Sequence, residues 1–300
     1  MPSYKDKSPQ AEVFRGPGGI EMFRLAAGQA VAEVAPSRGG IITRFAVGDD
    51  EILHLDEKTL RESTPGPQAK ANIRGGIQVL FPVAGKLSGD RYTVGGASYP
   101  MRQHGLARYG VWSVVDVAQA HLTQEFRSTP ASKITFPFDF VCRLTIDVGR
   151  AGYRSLVVET EIENLGRQPM PVQFGFHPYF QVADKDKAAT HVQITAESAF
   201  DNTRGGDEPW NGILDFTAAE VDLHLLNVQA GSATLTVPGR PVRKLMFSEL
   251  YKVLVLWTVA MKDFICLEPW SAPADSFNTG AGLRTLEPGD RCHGEFVISV

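Results

Sequence analysis

Cysteine is scarce in this 300-residue chain: Cys142, Cys266 and Cys292 show no CxxC spacing and leave an odd count. A disulfide framework and a zinc ribbon both lose support, and reduced, buried thiols in a cytoplasmic protein are the expectation. The histidines His54, His104, His121, His177, His191, His224 and His293 form neither HxH nor HExxH. No metal and no other cofactor is therefore expected. Long apolar runs are missing too. Stretches such as VLVLW at 253–257 fall far short of the ~20 residues that span a bilayer, and the polar start MPSYKDKSPQ lacks the apolar segment of a signal peptide. Thirty Lys and Arg against 34 Asp and Glu give a net charge of -4 without a basic run. Nucleic acid and membrane are poor partners for such a surface, and a neutral or modestly charged small molecule is a better one. The phosphate and dinucleotide loops GxGxxG and GxxxxGK[ST], and the GxSxG elbow, are absent. Metal-free acid/base chemistry or pure binding remains.

What is present has period two. In VCRLTIDV (141–148), Cys142, Leu144, Ile146 and Val148 alternate with Val141, Arg143, Thr145 and Asp147; LVVETEIEN sets Glu159, Glu161 and Glu163 against Val158, Thr160 and Ile162. ATLTVPG, KVLVLWTV, FICLE and GEFVISV are further strands. The 29 glycines and 19 prolines fall mostly between strands as turn residues. The fold class expected is all-β, a large antiparallel β-sandwich. Short helices are expected only around 56–62 (DEKTLRE) and 217–222 (TAAEVD). No repeat, low-complexity tract or linker interrupts the chain, so residues 1–300 are read as a single domain. Nothing in the sequence sets the oligomeric state.

Four segments carry candidate chemistry. In QFGFHPYF (173–180), Pro178 biases His177 toward extended backbone, so Gln173, Gly175 and His177 share one face and Phe174 and Phe176 the other. Gly175 leaves room beside the imidazole for a ligand or another backbone, although a buried histidine is also at home in a structural role. RQHGLARYG (102–110) supplies His104 before a glycine, and then Arg108. FICLEPW (264–270) ends an apolar strand in Glu268, with Phe264 and Cys266 on the same face. Partial desolvation there raises a carboxyl pKa toward the range of a general base, while a structural salt bridge is the plainer alternative. Trp270 beside it offers an aromatic face to a sugar ring. In IRGGIQVLFP (73–82), Arg74 stands at a strand mouth where a guanidinium can donate to hydroxyls.

RGGIxxxFP, HGxAR, GFHPYF and EPW, in this order and spacing, resemble the aldose 1-epimerase (galactose mutarotase-like) family, and the resemblance spans nearly the whole chain. It implies a large β-sandwich and a sugar substrate. Carried onto this sequence, it implies that His177 protonates the ring oxygen and Glu268 takes the anomeric proton. His104 would hydrogen-bond near the ring oxygen, Arg74 and Arg108 would serve the substrate, and Asp222 in EVDLHLLN is the closest match to the family's sugar-binding aspartate. Gln78 departs from a common proline, and FPVAG lacks an aromatic pair of the hexose-6-phosphate branch, though Arg74, Lys86, Arg102 and Arg108 could still receive a phosphate.

Opening a cyclic hemiacetal needs one proton to leave O1 and another to reach O5. A carboxylate and an imidazolium on opposite sides of the ring are the expected arrangement. A glycoside hydrolase would instead pair Glu268 with Asp275 or Asp222 and leave both histidine segments unexplained. A non-catalytic carbohydrate-binding protein would have no need of His177 and Glu268 together.

Overall fold

Alternating apolar side chains on many strands require two sheets packed face to face, and the computed structural model has them. It describes residues 11–66, 69, 72–229 and 231–300; the polar start at 1–10 lies outside them. Among the described residues the strands form a twelve-stranded sheet, an eight-stranded sheet and two small two-stranded ribbons. The middle of the larger sheet runs Ile41–Val47, Ile77–Leu80, Gly175–Gln181, Phe264–Trp270, Val253–Val259 and Glu220–Leu226, with antiparallel neighbours throughout. Phe140–Val148, Ser155–Asn164 and Arg291–Ser299 are consecutive in the smaller one.

The two inner faces make the core. Cys142, Leu144, Ile146, Val158 and Ile162 of the smaller sheet pack with Phe174, Phe176, Leu256, Ile265 and Leu267 of the larger. Phe176 meets Phe296 across the gap with ring centroids 4.5 Å apart. Arg143, Thr145, Asp147, Glu159, Glu161 and Glu163 stay at least partly exposed on the opposite face, as the alternation requires. The larger sheet is also covered on its outer face, where His177, Tyr179, Cys266 and Glu268 are all buried.

The first expected helix forms at Glu57–Glu62, capped by the Asp56 carboxylate, which accepts from the backbone N–H groups of Lys58 and Thr59. The second does not. Residues 217–219 turn, and Glu220–Leu226 is a strand with Val221 and Leu225 buried inward. TAAEVD is too short to hold a helix against a sheet edge that pairs seven residues with Val253–Val259. A brief helix at Ser276–Thr279 was not foreseen in the sequence. No helix among the described residues is long and apolar enough to cross a membrane.

Phe176→Ala empties a fully enclosed site between the sheets and should cost about 3–5 kcal/mol, whereas Ile213→Ala, at a residue 74% exposed, should stay within about 0.5 kcal/mol of the parent. Urea unfolding of the two variants measures both, and equal losses would mean that Phe176 does not close the sandwich.

Candidate active site

The site is set by strand register. Gly175 pairs with Trp270 and Tyr179 with Cys266, so His177 stands opposite Glu268 on the outer face, as directly facing residues of an antiparallel pair do. Ladder pairing lapses between those two points. Pro178 and Pro269 each lack an N–H there, and a proline inside a sheet removes a ladder bond. Imidazole Nδ1 lies 3.2 Å from Glu268 Oε1. The contact is close but not aligned as a hydrogen bond, and both Nδ1 and the other carboxylate oxygen, Oε2, are buried without a partner. Acid and base candidates are thus side by side, not on opposite sides of a sugar ring as the sequence suggested. Glu268 also lies inside its strand, which continues through Pro269 and Trp270.

His104 comes from a loop that folds over the end of the Ile77–Leu80 strand. Its φ of 67° and the 75° of Gly105 are left-handed. A side chain on Gly105 would meet the Phe81 carbonyl at 2.2 Å, so only glycine lets the loop lie this close. The His104 ring sits 5.5 Å from that of His177, and its Nδ1–H donates to the Ala84 carbonyl. Burial, assisted by Arg108, pushes the His104 pKa down to about 3. With Nδ1 carrying the proton, Nε2 is an acceptor. Such a nitrogen can accept from a hydroxyl but cannot donate to an oxygen that carries no proton.

Gln78 pairs with His177 from the other neighbouring strand. Its amide N–H donates to the Ile73 carbonyl at 2.8 Å, and its Oε1 accepts from the Arg108 guanidinium. The residue that departs from the family's proline therefore fixes an arginine at the pocket wall. Arg74 is exposed at the mouth, its guanidinium 5.7 Å from the centre of the Trp257 ring.

Asp222 lines the same cavity, of about 280 Å³. It is held by Asn202, whose Nδ2 donates to Oδ1 at 3.1 Å. Trp270 is in the wall but only 3% exposed, wedged with Leu80, Ala84 and Val253. The space beside Gly175 is taken by its indole, since a Cβ there would lie 2.7 Å from Trp270 Cδ1. The glycine makes room for the neighbouring strand, for the Trp270 indole and the Pro269 carbonyl 3.0 Å from where a Cβ would be, and not for a ligand. Trp257, partly exposed beneath Arg74, also lines the cavity and is the more accessible of the two indoles. Asp275 is elsewhere: its Oδ1 accepts from the Ser88 N–H at 2.9 Å and it does not line the cavity.

Sequence reasoning passed over His224, Glu220, Trp257 and Tyr179. His224 packs edge-on against Trp270 at 5.0 Å, and Tyr179 stacks on His177 at 4.6 Å with planes 8° apart. A signal for two of them existed. Glu220, Asp222 and His224 alternate with Val221, Leu223 and Leu225, which places three polar groups on one face.

Burial dominates the electrostatics. It raises the Glu268 carboxyl well above the usual carboxylate range, and the charge of Asp222 raises it further; the neighbouring indole N–H of Trp270 and Arg108 act the other way. Burial likewise lowers His177, followed by His104, Arg108 and Arg74. Both shifts favour uncharged forms. An uncharged imidazole beside a protonated carboxyl holds the same single proton as an imidazolium beside a carboxylate, so the pair is one proton reservoir with two internal arrangements.

A second cavity of about 710 Å³ adjoins the first, shares His104 and Arg108 with it, and brings in Lys86 and Arg102. Arg102 donates to the Ala69 carbonyl at 2.8 Å and lies 4.0 Å over the Tyr109 ring.

Comparison with known proteins shows the family and the fold. Residues 21–299 match the aldose 1-epimerase family. The solved Slr1438 protein of Synechocystis sp. PCC 6803 is 31% identical, with 100% of this chain and 99% of that one covered and a TM-score of 0.86. A galactose mutarotase-like protein from Lactobacillus casei ATCC 334 is 23% identical over 93% of this chain and 99% of its own, with a TM-score of 0.76. The GalM/aldose epimerase homologue from C. elegans is 16% identical over 96% and 98%, with a TM-score of 0.72. These last two speak for the fold alone. With a family match over residues 21–299 and a 31% identical relative aligned over its whole length, the chain belongs to the aldose 1-epimerase family.

Proposed function

We propose that this protein is an aldose 1-epimerase that interconverts the α and β anomers of a hexose by general acid/base ring opening without a metal. The observation that carries the reading is the His177–Glu268 pair, buried together and 3.2 Å apart at closest approach. The two oxygens that exchange protons, O1 and O5, are bonded to the same carbon, so adjacent acid and base groups fit them better than groups across a ring.

Nδ1 of His177 faces Glu268, which leaves Nε2 for the ring oxygen; Oε2 of Glu268, which makes no aligned hydrogen bond in the protein, is offered to the anomeric hydroxyl. Hydrogen bonds from the sugar favour the charged arrangement of the pair. Glu268 then takes the O1 proton, the C1–O5 bond breaks, and His177 delivers its proton to O5. The electron pair of the O1–H bond becomes the second bond of the C1 aldehyde, and the electrons of C1–O5 stay on O5. Rotation about C1–C2 presents the other aldehyde face, and closure returns both protons. No atom is gained or lost. His104 Nε2 and Asp222 accept from sugar hydroxyls, Arg74 and Arg108 donate to them, and Trp257 covers the apolar side of the ring, with Trp270 behind the carboxylate.

A hexose 6-phosphate is a second reading, favoured by one observation: the adjoining cavity brings Lys86 and Arg102 next to Arg108. A sugar-binding protein without turnover is the third. Saturation-transfer NMR of anomer exchange with glucose, galactose and glucose 6-phosphate separates all three. Exchange should be accelerated for at least one sugar and persist in chelator; activity lost in EDTA and restored by a divalent ion would overturn the metal-free mechanism.

Glu268→Gln retains the shape and removes the base, so turnover should fall by about 10²–10⁴-fold with sugar affinity nearly unchanged. A variant that keeps most of its rate would make Glu268 structural. His177→Asn should lose turnover on the same scale at a stability cost of about 1 kcal/mol, since an amide on a pocket wall can be hydrated. His104→Asn should be milder. Asparagine tolerates the left-handed backbone, and its amide can still meet the Ala84 carbonyl or a hydroxyl. Mutarotation rates and thermal melts measured side by side decide this: equal losses in the two variants would assign His177 and His104 the same supporting role.

A further inference from the structure

The strand face that carries the acid/base pair carries a third group. Cys266 is two residues from Glu268 on the same face and pairs with Tyr179, next to His177. One ligand atom from each of His177, Cys266 and Glu268 lies within 4.8 Å of the other two, and all three side chains are buried. His177 is 6% exposed, Glu268 2% and Cys266 0%. Two potential ligand atoms in this cluster, His177 Nδ1 and Glu268 Oε2, make no aligned hydrogen bond, although the Trp270 indole N–H lies beside the carboxylate. Buried polar atoms left unsatisfied in this way call for an occupant. No other cluster of three such groups occurs among the described residues.

Thiolate, imidazole and carboxylate are the three ligand types that zinc takes, whereas magnesium and calcium want shells of oxygen. A tetrahedral zinc with bonds of about 2.0–2.3 Å holds its ligands roughly 3.5 Å apart. The cluster would have to contract by about 1 Å at its widest, within reach of side-chain rotation. Three protein ligands also leave a fourth position, and the cavity beside His177 and Glu268 is where it would open.

We propose that His177, Cys266 and Glu268 form a site for a borderline-soft divalent cation of the zinc class, and that its occupation shuts off the acid/base pair. The second half rests on the function proposed above. Binding replaces the thiol proton of Cys266 and the proton held by the pair, both of which leave to solvent. The metal then takes the lone pairs that ring opening uses. No electrons are transferred, and the cation comes from solution.

The test uses the full chain, with zinc titrated calorimetrically and cadmium followed by its sulfur-to-metal charge-transfer absorption. One zinc per chain, a cadmium–thiolate band and zinc inhibition of anomer exchange are expected. Cys266→Ala, whose melting temperature confirms its fold, should lose the band and bind zinc at least about tenfold more weakly, since loss even of a group that only supports a ligand costs that much. Its anomer exchange without zinc should stay near that of the parent, because Cys266 takes no part in the proton transfers. Absence of zinc binding by the parent, or equal binding and an equal cadmium band in Cys266→Ala, would overturn the site. If the parent binds zinc through Cys266 but accelerates no anomer exchange, the metal site stands and the proposed function falls; if the parent is active but indifferent to bound zinc, inhibition is overturned.

Discussion

Everything at the site depends on one register, the alignment of Gly175–Gln181 against Phe264–Trp270. Gly175 opposite Trp270 and Tyr179 opposite Cys266 leave His177 facing Glu268. A slip of one residue in either strand would turn its entire outer set inward. The inner faces forbid that, because Phe174, Phe176, Ile265 and Leu267 are packed into the core. The sandwich thus does more than support the site: the apolar residues that hold the two sheets together also fix which imidazole meets which carboxylate.

That placement is costly in the free protein. Glu268 and His177 are both removed from water, and the carboxylate oxygen Oε2 and the ring nitrogen Nδ1 lack partners. A fold under selection for stability alone would fill these positions with apolar groups, as it does on the other face of the same strands. The unmet hydrogen-bonding capacity points to a polar occupant, which the hexose of the proposed function would be. Neutral His104, oriented by the Ala84 carbonyl, and Arg108, clamped by Gln78, extend the same polar wall. Rigid positioning of these groups before substrate arrives reduces the reorganisation left for the chemical step.

The sequence made some of this legible and hid the rest for physical reasons. Period-two alternation is local, so the strands around Cys142–Val148 and Val158–Glu163 were readable, as was the opposition of His177 to Phe174 and Phe176. Cross-strand register is not local: 90 or so residues separate the His177 and Glu268 strands, and nothing in either segment states their alignment. Hence the acid and base were expected on opposite sides of the sugar when the fold sets them side by side. The helix expected at 217–222 gives way to a strand because Glu220, Asp222 and His224 alternate with Val221, Leu223 and Leu225, the same alternation that puts His224 on the polar face. The space beside Gly175 was legible as room for a ligand or another backbone, but the indole and the Pro269 carbonyl that take it come from the neighbouring strand, which the local sequence does not show.

The central claim is that His177 and Glu268 act as one unit that holds and moves a single proton. Its most direct test is anomer-exchange NMR on a double-mutant cycle of His177→Asn and Glu268→Gln with the best substrate. Residues that function as a unit are strongly non-additive, so the account predicts a double variant no slower than the slower single variant. Losses that multiply, with the double variant slower by the product of the two single effects, would contradict it.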